Sequence, residues 1–209
     1  VGRKPRSMIQ TLPPSTARSA TAATSTNDTV CDVVVIGGGP AGATMATLLA
    51  REGFTVSLLE REHHPRFHIG ESLLPANGRL FEQLGVRAQV DAIGMPKWGV
   101  QFVSPQHQHT AFVEFSEAWD KSMPMAWQVR RSELDELLFR HAREQGAVTA
   151  EGCQVRRVEF DEDGVTVSAT QDDGTAKRWR ASYVVDASGR DTLLAGQFQS
   201  KARNPKHNS

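Results

Sequence analysis

The stretch Asp32-Val-Val-Val-Ile-Gly-Gly-Gly-Pro-Ala-Gly-Ala-Thr-Met-Ala46 decides how this chain folds. Val33 to Ile36 is an apolar run rich in β-branched valine without polar alternation, the pattern of a parallel strand buried on both faces. Gly37, Gly39 and Gly42 follow at GxGxxG spacing. The first glycine permits a tight turn, the second lets a pyrophosphate approach the backbone, and the third lets a helix pack closely on the sheet. The helix expected from Pro40 to Glu52 aims its N-terminal N–H groups and the positive end of its dipole at those phosphates. Ala43, Ala46 and Ala50 keep its strand-facing side thin. Gly53 ends it, and Thr55-Val-Ser-Leu-Leu-Glu60 reads as a second strand closing on a carboxylate. An acid about 20 residues beyond the glycines hydrogen-bonds ribose hydroxyls and argues against a 2′-phosphate on that ribose. Because strand, glycines, helix, second strand and acid fall in register, an ordinary glycine-rich turn is the weaker explanation. A dinucleotide site for FAD or NAD follows.

Composition bounds the remainder. The 209 residues carry 24 basic and 24 acidic side chains and are 39% hydrophobic, which describes a globular chain with no charge bias toward nucleic acid or a membrane surface. Cys31 and Cys153 lie far apart without metal-type spacing, so neither a disulfide framework nor a zinc site is expected, and a reducing cytoplasm fits. No apolar stretch approaches the roughly 18 residues of a membrane span. Residues 1–29 are rich in Ser, Thr, Ala and Pro, carry Arg3, Lys4, Arg6 and Arg18, and read as a disordered extension. An organelle transit peptide shares that composition, a signal peptide would need an apolar core, and an upstream extension or misassigned start ahead of Met8 is the preferred explanation. Residues 199–209 form a polar, basic tail.

Between these ends the rhythm changes. Val100 to Val103 and Ala111 to Phe115 are short strand-like runs around a polar loop, an antiparallel layer over about residues 96–127 inserted into the nucleotide-binding fold. His107 and His109 in that loop lack a third ligand nearby, and a solvated hairpin tip is preferred to a metal pair. A helix is expected from Glu136 to Gly146, with Leu134, Leu137, Leu138 and His141 on one side, and Val148 begins another strand. Val155 to Phe160, Val165 to Ala169 and Lys177 to Val185 form a meander punctuated by Asp163-Gly164 and Asp173-Gly174. Val184-Val-Asp186-Ala-Ser-Gly189 then repeats the opening design, a buried strand ending in an acid and small residues. The architecture expected is α/β, a Rossmann-like domain over residues 30–198.

The pieces Gly37-Gly-Gly-Pro-Ala-Gly42, Leu59-Glu-Arg61, His68-Ile-Gly-Glu-Ser-Leu-Leu-Pro75, Lys97-Trp-Gly-Val-Gln-Phe102, Val129-Arg-Arg-Ser-Glu-Leu-Asp135 and Val185-Asp-Ala-Ser-Gly-Arg190 together resemble the FAD-dependent halogenase and monooxygenase superfamily, in particular its tryptophan-halogenase-like group. The run Gly70 to Pro75 discriminates, because generic Rossmann dehydrogenases lack it. The resemblance implies that Gly37, Gly39, Pro40, Ala41 and Gly42 bind the FAD pyrophosphate and that Glu60, beside Arg61, binds the ribose. It also implies that Gly70, Glu71, Ser72 and Leu73 lie next to the flavin, with Arg131, Val155, Asp186 and Gly189 completing the cofactor contacts. For Glu71 and Ser72 a capping pair ahead of the next helix is an equal alternative. For Arg131 and Asp135 the plain alternative is a surface i,i+4 pair.

The chemistry implied by the resemblance is specific. Reduced FAD from a separate flavin reductase reacts with oxygen to a flavin hydroperoxide, halide attacks it to give hypohalous acid, and a lysine carries that oxidant to a small aromatic substrate, free or carrier-bound. Lys97 falls where that lysine is expected, since an amine can hydrogen-bond or react with hypohalous acid when burial lowers its pKa. A solvated lysine at the start of an edge strand is the plain alternative. Trp98, Trp119, Trp127 and Trp179 do not form the family's Trp-x-Trp-x-Ile-Pro motif, and its third flavin motif, a Gly-Asp segment, is not in these 209 residues. The expectation is a chain truncated at its C-terminal side, with weak FAD binding and no halogenation on its own. A related FAD monooxygenase or reductase and a noncatalytic FAD-binding fragment are the competing readings.

Overall fold

A computed structural model describes residues 28–200. It begins with β1 (Asp28–Ile36), α1 (Pro40–Arg51) and β2 (Val56–Leu59). The next segment holds α2 (Asn77–Leu84), α3 (Arg87–Ile93), β3 (Met95–Lys97), β4 (Gly99–Ser104), β5 (His109–Glu114) and β6 (Ala126–Gln128). Then come α4 (Arg131–Glu144), β7 (Val148–Ala150), β8 (Cys153–Asp161), β9 (Gly164–Gln171), β10 (Ala176–Asp186) and α5 (Leu193–Gln197). The main sheet has six strands in the order β7-β2-β1-β10-β9-β8. β7, β2, β1 and β10 run parallel, while β9 and β8 continue from β10 as the antiparallel meander.

The burial pattern explains the uninterrupted valines. Val33 and Val35 face a core shared with Ala43 and Ala46 of α1 and with Leu134, Leu138 and Phe139 of α4. Val34 and Ile36 face the opposite core, made with Val158, Val165, Val167 and Trp179 of the meander. Side chains alternate across a strand, so a strand covered on both faces has no position left for a polar residue.

Several boundaries and elements differ from the sequence expectation. Asp28 and Thr29, expected in the N-terminal extension, are the start of β1 and pair with Arg178 and Trp179 of β10. The rest of that extension and residues 201–209 of the tail lie outside the described residues. α4 starts at Arg131 rather than Glu136 because the Glu133 and Leu134 N–H groups already bond the Arg130 carbonyl. α2 and α3 went unread, being short and dependent on packing against α1 and α4 rather than on their own period. The antiparallel layer is two separate pairs: β3 with β6, and the β4–β5 hairpin with His107 and His109 at its tip. Among the described residues, no group of three His, Cys, Asp or Glu side chains is placed to hold a metal. No described helix is long and apolar enough to cross a membrane.

Candidate functional site

A cavity of about 710 Å³ opens at the C-terminal ends of the parallel strands, where Ile36 ends β1, Leu59 ends β2 and Ala187 follows β10. Open parallel sheets bind ligands at this edge because the loops and helix N-termini that follow the strands converge there. Gly39 is the N-cap of the 12-residue α1, and Pro40 supplies a preset first-turn backbone without a donor to strand. Gly37, Gly39, Pro40, Ala41, Glu60, Arg61, Arg131, Val155 and Gly189 all line this space.

The glycines serve different physical ends. Gly37 adopts φ +103°, and a Cβ there would lie 2.4 Å from the Ala187 carbonyl oxygen. A Cβ on Gly42 would lie 1.8 Å from the Gly37 carbonyl oxygen, so β1, α1 and the β10 end interlock through main chain. Gly38 lies outside the GxGxxG pattern yet is equally constrained, because its Cβ would meet Glu60 Cβ and the Phe139 ring at 2.8 Å. Gly39 is the contrast. Its φ of −74° suits any residue, and the nearest atom to a Cβ would be Arg66 Nη2 at 3.7 Å. The fold does not require glycine at position 39, whereas a ligand lying across that surface does.

Glu60 is 4% exposed. Its Oε2 accepts the Gly38 N–H at 2.6 Å and Arg66 Nη2 at 3.3 Å, while Oε1 accepts the Glu62 N–H at 3.0 Å. A carboxylate has about four acceptor positions, so Oε1 retains one beyond the Glu62 N–H. Arg61 donates to Asp191, joining the loops after β2 and β10 at the cavity rim. Asp186 accepts the Ser188 N–H, the Ser188 hydroxyl and the Leu194 N–H, so its carboxylate orders the turn while Ala187 to Asp191 line the cavity. Burial pushes the Asp186 carboxyl up, but hydrogen bonds from Ser188 and Leu194 outweigh it and the net direction is down.

Arg131 and Asp135 are not a surface pair. Asp135 is 0% exposed and takes Arg131 Nε at 2.8 Å and Nη2 at 3.0 Å, while Arg131 Nη1 donates to the Ile69 carbonyl at 3.0 Å. Helix α4 is thereby tied to the loop that leads into Gly70, which adopts φ +103° beside Arg131. Gly42, Gly70, Glu71, Ser72, Leu73 and Asp186 are not among the cavity-lining residues. Glu71 and Ser72 do not cap α2, whose N-cap is Ala76. Instead the Glu71 carbonyl accepts the Val129 N–H, Ser72 forms a bridge with Gln128, and Leu73 N–H donates to the Trp127 carbonyl.

Lys97, at the end of β3, lies over this segment rather than in open solvent. Its Nζ donates to Ser72 Oγ and to the Leu73 carbonyl at 2.9 Å, and it sits 5.2 Å from the Phe115 ring centroid. β3 pairs with β6, and β6 leads to the strand-like contact with Ser72, so one short sheet brings Lys97 to the Gly-Glu-Ser-Leu-Leu-Pro run. Arg66, Cys153 and Gln154 also line the cavity, and none of them stands out as a site residue in the sequence. An arginine in a polar loop carries no local signal. Cys153 is buried, and burial pushes its thiol up to about 11, which leaves it a packing group rather than a nucleophile.

Comparison with known proteins gives the chain its relatives. A model of the family described as FAD binding domain matches residues 30–207. A flavin-dependent halogenase of Armillaria mellea is 38% identical over 172 residues, covering 80% of this chain and 34% of that protein. Among solved structures, the myxobacterial chondrochloren halogenase superposes with a TM-score of 0.73 at 35% identity, over 78% of this chain and 38% of that one. A flavoprotein/dehydrogenase from Cytophaga hutchinsonii superposes with a TM-score of 0.76 at 31% identity, over 81% of this chain and 42% of that one. The chain spans about a third of the length of the curated relative.

Proposed function

The chain belongs to the family of FAD-binding domains, and from that premise we propose that it is the FAD-binding part of a flavin-dependent halogenase acting on a small aromatic substrate. The residues present fit FAD. Gly39 leaves clear a surface its own backbone does not need, Glu60 keeps an acceptor for a ribose hydroxyl, and a cavity of about 710 Å³ is within the range of cofactor sites. Gly37, Gly39, Pro40 and Ala41 form the phosphate-facing turn, Gly42 lets α1 pack close against Gly37 behind it, and Arg61, Arg131, Val155 and Gly189 stand on the walls. Ser72 and Leu73 hold Lys97, Gly70 and Glu71 lead into them beside Arg131 and Val129, and Asp186 orders the turn at Gly189.

The observation that carries the halogenase reading is the contact of Lys97 Nζ with Ser72 and Leu73. Bound and reduced, FAD supplies the electrons with which oxygen and halide yield hypohalous acid. An ammonium has three donors, and Ser72 and Leu73 take two, so the third remains to hydrogen-bond the oxygen of hypohalous acid. Delivery to the aromatic ring then breaks the oxygen–halogen bond and forms the carbon–halogen bond, and the ring proton leaves with hydroxide as water. Phe115 and the Ser72–Leu73 backbone fix where the amine points. A separate flavin reductase and a free or carrier-bound aromatic substrate belong to the same reading. So does a cytoplasmic setting, supported by the free thiols Cys31 and Cys153. The competing reading, a related FAD monooxygenase or reductase, is favoured by the likeness to the Cytophaga flavoprotein/dehydrogenase.

Titration of the 209-residue chain with FAD, followed by flavin fluorescence, is expected to saturate at one equivalent, and Gly39→Asp is expected to abolish binding without lowering Tm. Absence of wild-type binding means that these 209 residues do not hold FAD by themselves and favours the noncatalytic fragment. In a complete, active protein that contains this segment, with reductase, halide and a panel of phenols and indoles, Lys97→Met is expected to lower halogenation about 100-fold or more while leaving FAD affinity unchanged. Equal halogenation by the two proteins removes Lys97 from the chemistry. In that complete protein, organic oxygenation without halogenated product selects the monooxygenase, and FAD binding with no turnover selects a noncatalytic module.

A further inference from the structure

We propose that Trp127 is the positioning residue for the Lys97 amine, its indole locked by Asp91 and Arg87 so that hydrogen bonds run in series from α3 to Nζ. The inference rests on the reading of Lys97 as the halogenating lysine and deepens it. The Trp127 indole N–H donates to Asp91 Oδ1 at 2.9 Å. The Trp127 carbonyl accepts the Leu73 N–H at 2.9 Å, and the Leu73 carbonyl accepts Lys97 Nζ at 2.9 Å. Trp127 also stands opposite Pro96 in the β3–β6 pair, where Lys97 is the next residue along. The strand that carries the amine and the carbonyl that receives it are therefore fixed to one residue.

A ring that only filled the core would not be held in this way. Trp127 is 1% exposed, with the Phe81 ring edge-on at 5.7 Å. Charge holds it as well: Arg87 Cζ lies 4.5 Å from the ring centroid, and Arg87 Nε donates to both Asp91 oxygens at 3.2 Å. The guanidinium keeps the Asp91 carboxylate in place for the indole N–H, and the cation on the aromatic face restrains the tilt of the ring. α3 runs directly into this arrangement. Its C-cap, Gly94, precedes β3, and a Cβ there would lie 2.8 Å from Trp127 Cδ1. The chain passes against the indole just before it reaches Lys97, so a tilt of the ring moves the amine's own strand. Asp91 is 46% exposed, so removing its carboxylate frees the indole while leaving the core filled.

The test reads the amine directly in the 209-residue chain: the rate of reductive methylation at Lys97, followed by mass spectrometry and divided by the rate at Lys177, which is exposed on β10. Trp127→Phe and Asp91→Ala are each expected to raise this ratio about 3- to 10-fold, the size of one lost hydrogen bond. Asp91→Asn keeps an acceptor for the indole N–H and is expected to restore most of the protection. Val167→Ala loosens the opposite core, where Val167 is 0% exposed, and is expected to lower Tm without changing the ratio. An unchanged ratio in Trp127→Phe or in Asp91→Ala overturns the proposal, as does an equal rise in Val167→Ala or in Asp91→Asn. If Trp127→Phe does not fold, the two Asp91 variants decide by the same criterion. In a complete, active protein, Asp91→Ala is expected to lower kcat about 3- to 10-fold, with KM for the aromatic substrate within about twofold of wild type. Wild-type kcat in Asp91→Ala, where Lys97→Met is inactive, overturns the proposal. Full activity of Lys97→Met refutes the lysine reading alone, and the methylation ratios still judge the positioning.

Discussion

Gly42→Ala is expected to cost about 3 kcal/mol of stability, roughly a 6–12 °C fall in Tm for a domain of this size, and to abolish FAD binding. The alanine Cβ would lie 1.8 Å from the Gly37 carbonyl oxygen and 3.1 Å from its carbon, both main-chain atoms at the end of β1. No side-chain rotation relieves such an overlap. Either α1 lifts off the sheet, uncovering Ala43 and Ala46, which are 0% exposed, or the Gly37 turn moves and drags the Ala187 carbonyl with it. Both movements spoil the phosphate turn. Gly39→Ala is the matched control: its Cβ meets only ordinary contact distances, so its Tm is expected to stay near wild type. Thermal melts of the two variants decide the matter, and equal Tm values would show that Gly42 is not a close-approach position.

Asp135→Ala carries the second large effect. Asp135 is fully buried and joins Arg131, through two hydrogen bonds, to the charge of Arg66 at 3.5 Å. Removing one partner of a buried pair leaves uncompensated charge and costs about 3–5 kcal/mol. Arg131, 17% exposed, can turn part of its guanidinium toward water, which places the expected loss near 3 kcal/mol. The Arg131–Ile69 bond loses its anchor as well, so the loop into Gly70 is expected to gain amide hydrogen exchange. Glu136→Ala, one residue along, removes a pair whose Arg140 partner is 64% exposed, and its cost is expected to stay under about 1 kcal/mol. Denaturant unfolding of both variants with hydrogen exchange over residues 66–72 checks this. Equal midpoints for the two would mean that the Asp135 network adds nothing beyond a surface pair.

Much of the nucleotide half was legible because its signals are local. Val33 to Ile36, Gly37, Gly39, Gly42 and Glu60 sit within one strand–helix–strand unit, and each residue type answers a constraint imposed by its immediate neighbours. The strands of the meander were legible for the same reason, with Asp-Gly turns marking their ends. α2 and α3 were not, since eight and seven residues cannot hold a helix without tertiary support, and that support comes from Phe81, Leu84 and Val90 buried against distant elements.

By itself the sequence determined a parallel strand covered on both faces, a tight glycine turn into a helix and an acid at the end of the second strand. These follow from steric and hydrogen-bonding rules that act along a short run of chain. Only the tertiary structure decided that Gly38 is held by Phe139, that Asp135 is a buried anchor, that Lys97 reaches Ser72, and that Arg66 is enclosed by Glu60, Glu62 and Asp135. Each of those facts joins elements far apart in sequence, and residue type along the chain does not encode which loop a packed sheet edge will bring beside which helix.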